Sequence, residues 1–268
     1  MKELFKRAIT GAIYVFLLLA AVFLNNKDAF DFLFLIFGLI CIHEYRKIIK
    51  LKGFHVFIAF LALWWLFIYI VYNTNGFWFL LIPVLLTNLY LLIDLFSTKQ
   101  RTRSYAEKFL LTLLYIGGGC IFLTMIPYRE SSFSEWLIFG IFILVWVNDS
   151  FAYIVGRLVG RTKLFERVSP KKTIEGSLGG MAFALLAAYL IAHYTGELTI
   201  TKWMVIALVV VLAGSLGDLV ESKFKREAGV KDSGAILPGH GGLLDRLDSL
   251  IFAAPFVYLT IQIITYVS

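Results

Sequence analysis

The densest group of residues that could perform chemistry lies in the segment GSLGDLVESKFKREAGVKDSGAILPGHGGLLDRLDS, residues 214–249. Asp218, Glu221 and Ser222 are three and four residues apart, a spacing that places them on one face of a helix. The basic residues that follow about one turn later are Lys225 and Arg226. Carboxylates beside basic side chains suit a complex of magnesium with a nucleotide, because the metal takes oxygen ligands and the basic groups neutralise phosphate.

A turn, which we call the glycine turn, follows in the same segment, and a helix could not easily continue through its residues. Its residues are Pro238, Gly239, His240, Gly241 and Gly242. Glycine lets the backbone approach a ligand closely, so the N–H groups of this turn could face phosphate oxygens. Asp245 and Asp248 then begin the next helix, with Arg246 between them. The alternative is a solvated loop with anchoring lysines, which requires neither the turn nor acidic residues at both helix ends.

A second polar group interrupts an apolar run in the segment VNDSFAYIVGRLVGRTKLFERVSPKKTIEGSLGG, residues 147–180. Asn148 and Asp149 fall inside this run, where an ionisable residue is a functional candidate and a polar helix contact is the alternative. Lys171 and Lys172 precede the start of the next predicted helix, whose N-terminus could bind an anion. A capped helix start with anchoring lysines is the alternative there.

The composition indicates that membrane-spanning helices carry these residues. Of the 268 residues, 60% are hydrophobic and only 16% are charged, whereas soluble domains carry about a quarter charged residues. The net charge of +7 does not indicate a nucleic-acid partner, because the basic residues lie beside apolar runs where membrane topology explains them. Cys41 and Cys120 lie within apolar runs, so we expect neither a disulfide nor a zinc cluster.

Apolar runs near the length that crosses a bilayer predict an all-α polytopic membrane protein. The nine predicted spans are 8–24, 29–44, 54–72, 77–96, 107–126, 136–156, 177–194, 202–221 and 249–267. If the spans alternate, all but three of the 25 basic residues fall on one side, the exceptions being Lys27, Arg129 and Lys202. Because basic residues concentrate in cytoplasmic loops, we predict a cytoplasmic N-terminus and an outer C-terminus.

We predict a single integral membrane domain over residues 1–268, in which the first apolar run is a retained helix rather than a cleaved signal. Residues 1–130 supply N-terminal spans, and residues 131–268 supply further spans and the cytoplasmic loops that carry the active site. The long loops are 157–176 and 222–248. We interpret His43 and Glu44 as the polar end of a span, with membership of the site as the alternative, and Asp94 as a residue near the interface.

The pattern of residues 222–248 resembles the signature of phosphatidate cytidylyltransferases, also called CDP-diacylglycerol synthases. It reads Ser222-x2-Lys225-Arg226-x4-Lys231-Asp232-x-Gly234-x3-Pro238-Gly239-His240-Gly241-Gly242-x2-Asp245-Arg246-x-Asp248. The segments DSFAYIVGRLVGR and SPKKTIEG are also similar to that family, so the resemblance covers most of residues 147–249. It implies transfer of a cytidylyl group from CTP to phosphatidic acid, a magnesium requirement with room for a second cation, a cell-membrane location and a homodimer.

The residue roles that we predict combine this resemblance with the chemistry above. The predicted catalytic residues are Asp218, Asp245, Lys225, Arg226 and Arg246. The predicted metal ligands are Asp218 and Asp245, with Asp248 and Asp149 as further candidates. The predicted substrate-binding residues are Lys171, Lys172, Ser222, Lys231, His240, Gly241 and Gly242.

Three other functions remain open from the sequence. A lipid or solute transporter would explain the spans, but its site should lie near the bilayer midplane rather than on one side. A CTP-dependent kinase acting on a polyprenol would release CDP and leave the cytidine off the lipid. A structural membrane protein would need neither the SPKKT segment nor the glycine turn.

Overall fold

The structure, a computed structural model, describes residues 2–24, 26–71, 74–98, 101–129, 132–239 and 241–266. Within these residues the chain forms nine helical stretches, and each overlaps one predicted span. The α-helices are α1 Lys2–Phe23, α2 Lys27–Ile48, α3 His55–Trp65, α4 Trp78–Phe96, α5 Tyr105–Leu111, α6 Gly119–Met125, α7 Glu135–Val159, α8 Ile174–Thr195, α9 Ile200–Ala228 and α10 Leu244–Tyr266. The π-helical segment Thr112–Gly118 joins α5 to α6, and Leu66–Val71 extends α3.

Six of these stretches are long and apolar enough to cross a membrane. They are Asn75–Phe96, Tyr105–Met125, Glu135–Val159, Ile174–Thr195, Ile200–Ala228 and Leu244–Thr265. Two shorter apolar helices are Ile9–Phe23 and His55–Val71. The predicted helical membrane fold is therefore confirmed in its class. The count of nine spans and the orientation of the termini stay predictions.

Two short antiparallel hairpins accompany the helices. Strand β1 Tyr128–Arg129 pairs with β2 Ser132–Phe133, and β3 Lys163–Phe165 pairs with β4 Ser169–Thr173. The second hairpin lies inside the predicted loop 157–176, where the sequence analysis placed no strand. The carboxylate of Glu175 accepts hydrogen bonds from the backbone N–H groups of Arg161 and Thr162, each at 3.0 Å, and so fixes the entry to this hairpin. Strands this short give no alternating pattern that a sequence could reveal.

Small residues allow the C-terminal helices to approach each other closely. A Cβ added at Gly180 on α8 would lie 2.6 Å from the carbonyl oxygen of Asn148 on α7. A Cβ added at Gly217 on α9 would lie 2.5 Å from the Cβ of Phe252 on α10. Small residues at such positions are typical of helix packing in membranes. The close approach of these helices brings their polar residues toward one another.

Helix α9 continues well past the predicted end of its span. The sequence predicted a span that ends near residue 221, but the helix runs to Ala228 and ends at Gly229, whose φ of 71° is left-handed. Lys225 and Arg226 are therefore helical residues, one turn beyond Glu221, rather than loop residues. This extension fixes the basic group relative to the carboxylates.

Candidate active site

The candidate active site lies where α9 and α10 meet the β3–β4 hairpin. Asp218 on α9 forms an ion pair with Lys172 of β4, with 2.5 Å between the carboxylate oxygen and Nζ. Its other oxygen accepts a hydrogen bond from Ser222 Oγ at 3.1 Å, as the predicted shared face requires. Lys172 is therefore brought to the carboxylates by the hairpin, although 46 residues separate it from Asp218.

Asp245 organises the glycine turn from the first turn of α10. Its Oδ1 accepts a hydrogen bond from Lys225 Nζ at 2.7 Å. Its Oδ2 accepts from the N–H and the hydroxyl of Ser233, both at 2.9 Å, and from the N–H of Gly242 at 2.7 Å. Gly241, with φ of 87°, supplies the left-handed conformation that the turn requires. Asp245 thus joins α9, the loop before α10 and the turn itself.

Lys225 links two carboxylates across the interface between α9 and α10. Besides Asp245, it forms an ion pair with Glu221 one turn earlier on α9. Glu221 is fully buried, and its Oε1 has no hydrogen-bond partner among the described residues. A buried lysine between two carboxylates neutralises part of their charge, because an unpaired buried charge is costly.

A cavity of about 230 Å³ opens beside these residues, between α1, α7 and α10. Asp149 and Asp248 line it together with Asp245 and Arg246, and Trp146 supplies an apolar wall. The buried carboxylate of Asp248 accepts a hydrogen bond from the N–H of Ser249 at 2.6 Å. The cavity therefore combines a carboxylate-rich end with apolar walls, an arrangement that suits a charged group attached to an apolar chain.

The donor chemistry of the site fits magnesium. Asp218 is close enough to both Asp149 and Asp248 to act on them electrostatically, and carboxylate oxygens are the protein ligands that magnesium prefers. No group of three or more acidic, histidine or cysteine side chains converges on one point in the part of the chain that the structure describes. That arrangement is compatible with magnesium, which binds through one or two carboxylates and completes its shell with phosphates and water.

The remaining predicted residues lie outside this group of contacts. Lys171 and Lys231 are exposed and form no ion pair with a described residue. Arg226 is also exposed and donates to the carbonyl of Val230 at 3.4 Å, near the C-terminal end of α9. His240 lies outside the described residues, so its predicted role stays a prediction. The structure thus joins Lys172, Lys225 and the carboxylates directly, and leaves the other lysines and Arg226 at the surface.

Comparison with known proteins decides the family. A family model described as the cytidylyltransferase family matches residues 5–264, nearly the whole chain. The chain belongs to the cytidylyltransferase family. The phosphatidate cytidylyltransferase of Staphylococcus saprophyticus is 43% identical over 157 residues, which cover 58% of each chain. The phosphatidate cytidylyltransferase of Haemophilus influenzae is 43% identical over 151 residues, 54% of this chain and 52% of that protein. The chain thus spans somewhat more than half the length of the curated relatives it matches.

Glu44 belongs to the site, although its position in the sequence did not indicate this. It lies on α2, is 1% exposed and accepts hydrogen bonds from the N–H groups of Leu243 and Leu244, at 3.2 and 2.8 Å. Its Oε2 also accepts from Ser233 Oγ at 3.3 Å. Glu44 therefore satisfies the free N–H groups at the start of α10 and holds the same loop that Asp245 holds. The only signal in the sequence was an acidic residue at the end of an apolar run.

Replacing Glu44 by alanine should lower kcat about tenfold, because the start of α10 and the carboxylates on it would lose a fixed position. The KM should change much less, since Glu44 does not line the cavity. Steady-state kinetics of purified Glu44→Ala and Glu44→Gln would check this expectation. Glu166→Gln, which alters an exposed carboxylate in the β3–β4 hairpin, is the matched control. A kcat equal to that of the unmodified protein would show that Glu44 does not position α10.

Proposed function

We propose that this protein is a phosphatidate cytidylyltransferase, which joins CTP to phosphatidic acid and produces CDP-diacylglycerol and pyrophosphate for phospholipid biosynthesis. The observation that carries the proposal is the cluster of carboxylates and lysines at facing ends of α9 and α10, beside a cavity with apolar walls. The family match and the names of the relatives support the same activity. A polar site at one end of apolar helices suits a reaction between a soluble nucleotide and a membrane lipid.

The proposed reaction is a single displacement at phosphorus. An oxygen of the phosphate of phosphatidic acid forms a bond to the α-phosphorus of CTP, and the bond from that phosphorus to the bridging oxygen of the β-phosphate breaks. The electron pair leaves with pyrophosphate. A phosphate monoester is already a nucleophile, so no covalent enzyme intermediate is required. The main obstacle is the approach of two anions, and fixed positive charges with correct positioning would lower it.

Three basic residues are best placed to bind the phosphates. Lys172 and Lys225 pair with carboxylates of the site, and Arg246 lines the cavity. The exposed Lys171, Arg226 and Lys231 would attract the nucleotide from solution. The N–H of Gly241 would contact the triphosphate chain. Gly242, whose N–H donates to Asp245, would hold that part of the turn in place. These roles extend the predictions made from the sequence.

Magnesium is part of the proposal, and a second cation is compatible with the number of carboxylates. Asp218, Asp248 and Asp149 would hold the metal, with Asp245 as a further ligand. When bound, magnesium would neutralise phosphate charge and favour departure of pyrophosphate. Asp218 and Asp245 differ from Asp149 and Asp248 because both carboxylate oxygens of each already meet donors of the protein.

The proposal places the protein in the cell membrane as a homodimer, with nine spans, a cytoplasmic N-terminus and the site on the cytoplasmic side. In the described part of the chain, six helices are long and apolar enough to cross a membrane, and they support the membrane location. The asymmetric distribution of basic residues supports the orientation. The proposal includes no nucleic-acid partner.

CTP labelled separately in the cytosine and in the γ-phosphate tests the proposal. The protein purified in detergent, supplied with phosphatidic acid and magnesium, should transfer the cytosine label to the lipid phase and release the γ-label as pyrophosphate. Transfer of the γ-label to an added polyprenol would instead favour a lipid kinase. No transfer of either label by a folded preparation would contradict both activities and favour a transporter, because transport cannot be measured in detergent.

A further inference from the structure

A second cavity lies on a different face of α9 from the candidate active site. It has a volume of about 350 Å³ and opens between the end of α2, the start of α5 and the end of α9. Its charged lining residues are Lys50, Arg101, Arg103, Lys108 and Glu227, and Phe224 supplies an apolar wall. We call it the basic cavity, because four of these residues are basic and only Glu227 is acidic. It shares no described lining residue with the cavity beside Asp248.

The positive charge of the basic cavity is only partly neutralised by the protein. Arg103 forms ion pairs with Asp94 at 2.8 Å and with Glu227 at 2.7 Å. Lys223 pairs with the same two carboxylates, at 2.7 and 3.6 Å, so each carboxylate is already shared between two cations. Lys50 and Lys108 form no ion pair with any residue in the described part of the chain. A net positive charge therefore remains in the cavity.

Arg103 is held rigidly and retains hydrogen-bonding capacity. Its side chain is 7% exposed, and its guanidinium lies over the ring of Phe224, 4.7 Å from the centroid. Its Nε is buried and has no hydrogen-bond partner among the described residues. Burial alone would lower the pKa of Arg103, but its contacts with Glu227 and Asp94 raise that pKa above its ordinary value. The guanidinium is thus a fixed and permanent cation in the wall of the cavity.

The backbone at Lys50 is unusual for its residue type. Lys50 has a φ of 54°, and it is the one residue other than glycine with a left-handed φ in the part of the chain that the structure describes. Such a conformation is uncommon for lysine and is retained where surrounding structure requires it. Lys50 follows shortly after the end of α2 at Ile48 and lines the basic cavity.

We propose that the basic cavity is a binding site for a phosphate-bearing anion, separate from the candidate active site. Convergent lysine and arginine side chains neutralise phosphate, and arginine adds directed hydrogen bonds. The phosphate could belong to the headgroup of an anionic lipid or to a free anion, because both present the same oxygens. Basic pockets between membrane helices recognise anionic headgroups in this way. The ordinary alternative is that these residues only anchor the helices at the interface, as scattered basic residues do.

Two binding measurements on the full chain in neutral detergent distinguish a lipid headgroup from a free anion as the source of the phosphate. The first titrates inorganic phosphate and follows the midpoint of thermal unfolding. The second adds phosphatidylglycerol, or phosphatidylcholine as a neutral lipid, and counts bound lipid by native mass spectrometry. Stabilisation by phosphate without selective lipid binding would identify a free anion as the ligand. Selective retention of phosphatidylglycerol would identify a lipid headgroup.

Substitutions test whether the basic cavity is responsible. The double variant Lys50→Ala, Lys108→Ala should weaken binding of the effective probe about tenfold or more, since each charged hydrogen bond contributes that order of affinity. Lys52→Ala removes an exposed lysine two residues from Lys50 that does not line the cavity, and it should bind as the unmodified protein does. Arg103 is left intact because its ion pairs support the fold.

Four results would overturn the proposal. The first is that neither probe binds the unmodified protein, and the second is that the double variant binds as well as the unmodified protein does. Equal weakening by Lys52→Ala would indicate general attraction to a basic surface. A large rise in the KM for CTP in the double variant would assign the cavity to the nucleotide site and remove its independence. The binding measurements need no turnover, so their outcome is distinct from that of the label-transfer experiment.

Discussion

Replacing Asp245 by asparagine should lower turnover about 100-fold while the protein stays folded and inserted in the membrane. The carboxylate accepts hydrogen bonds from Lys225, from Ser233 and from the N–H of Gly242. Asparagine has nearly the same shape but offers one acceptor oxygen, and its NH2 group would face donors. Either Lys225 or the glycine turn would lose its partner, and the site would lose its negative charge at that point.

Label transfer from cytosine-labelled CTP at saturating magnesium would measure this loss. Size-exclusion chromatography and thermal unfolding in detergent would establish that the variant is folded. Asp28→Asn is the matched control, because Asp28 is an exposed carboxylate at the start of α2, at the opposite end of that helix from Glu44. Unchanged activity of Asp245→Asn at saturating magnesium would exclude Asp245 as an essential residue, whether as a metal ligand or as an organiser of the turn.

The helices and the acidic face of α9 could be predicted because they depend on local sequence. Runs of apolar residues determine where helices form in a membrane, and every predicted span overlaps an observed helical stretch. The spacing of Asp218 and Ser222 predicted a shared helix face, and the hydrogen bond between their side chains confirms it. Such features need only the period of the helix.

Contacts between distant parts of the chain could not be predicted in this way. Glu44 meets the loop before α10 across about 200 residues, and its sequence neighbours gave no indication of that partner. Asp94 was interpreted as an interfacial residue, and its sequence neighbours did not indicate that it is 7% exposed and pairs with Arg103 and Lys223. Both carboxylates lie at helix ends, where the sequence alone is equally compatible with solvent. Burial with a partner depends on which helices pack together.

The position of the basic residues relative to the carboxylates was predicted only in part. Lys225 and Lys172 both reach the cluster, but for different reasons. Lys225 does so because α9 continues as a helix beyond its predicted end at residue 221, which places Lys225 one turn after Glu221. Lys172 does so because the β3–β4 hairpin folds back toward α9. Arg226, the neighbour of Lys225, points along a different direction of the same helix and stays exposed.

Replacing Lys225 by methionine should lower the free energy of unfolding by about 3 kcal/mol, because two buried carboxylates would then face each other without a cation. Glu221 is fully buried and Asp245 is 8% exposed, so water cannot replace the lost ammonium group effectively. Methionine fills a similar volume, so the change isolates the charge. The expected result is a marked fall in the midpoint of thermal unfolding together with loss of turnover. Lys163→Met, which alters an exposed lysine of β3, is the matched control.

A second substitution separates the structural role of Lys225 from its role in the reaction. Adding Glu221→Gln to Lys225→Met removes one of the two unpaired charges, so part of the lost stability should return. Turnover should not return, because the proposed contact of Lys225 with phosphate would still be missing. A double variant no more stable than Lys225→Met would show that Lys225 does not neutralise Glu221. A double variant that regained turnover would show that Lys225 acts only by holding α9 against α10, and the phosphate would then be bound by Lys172 and Arg246.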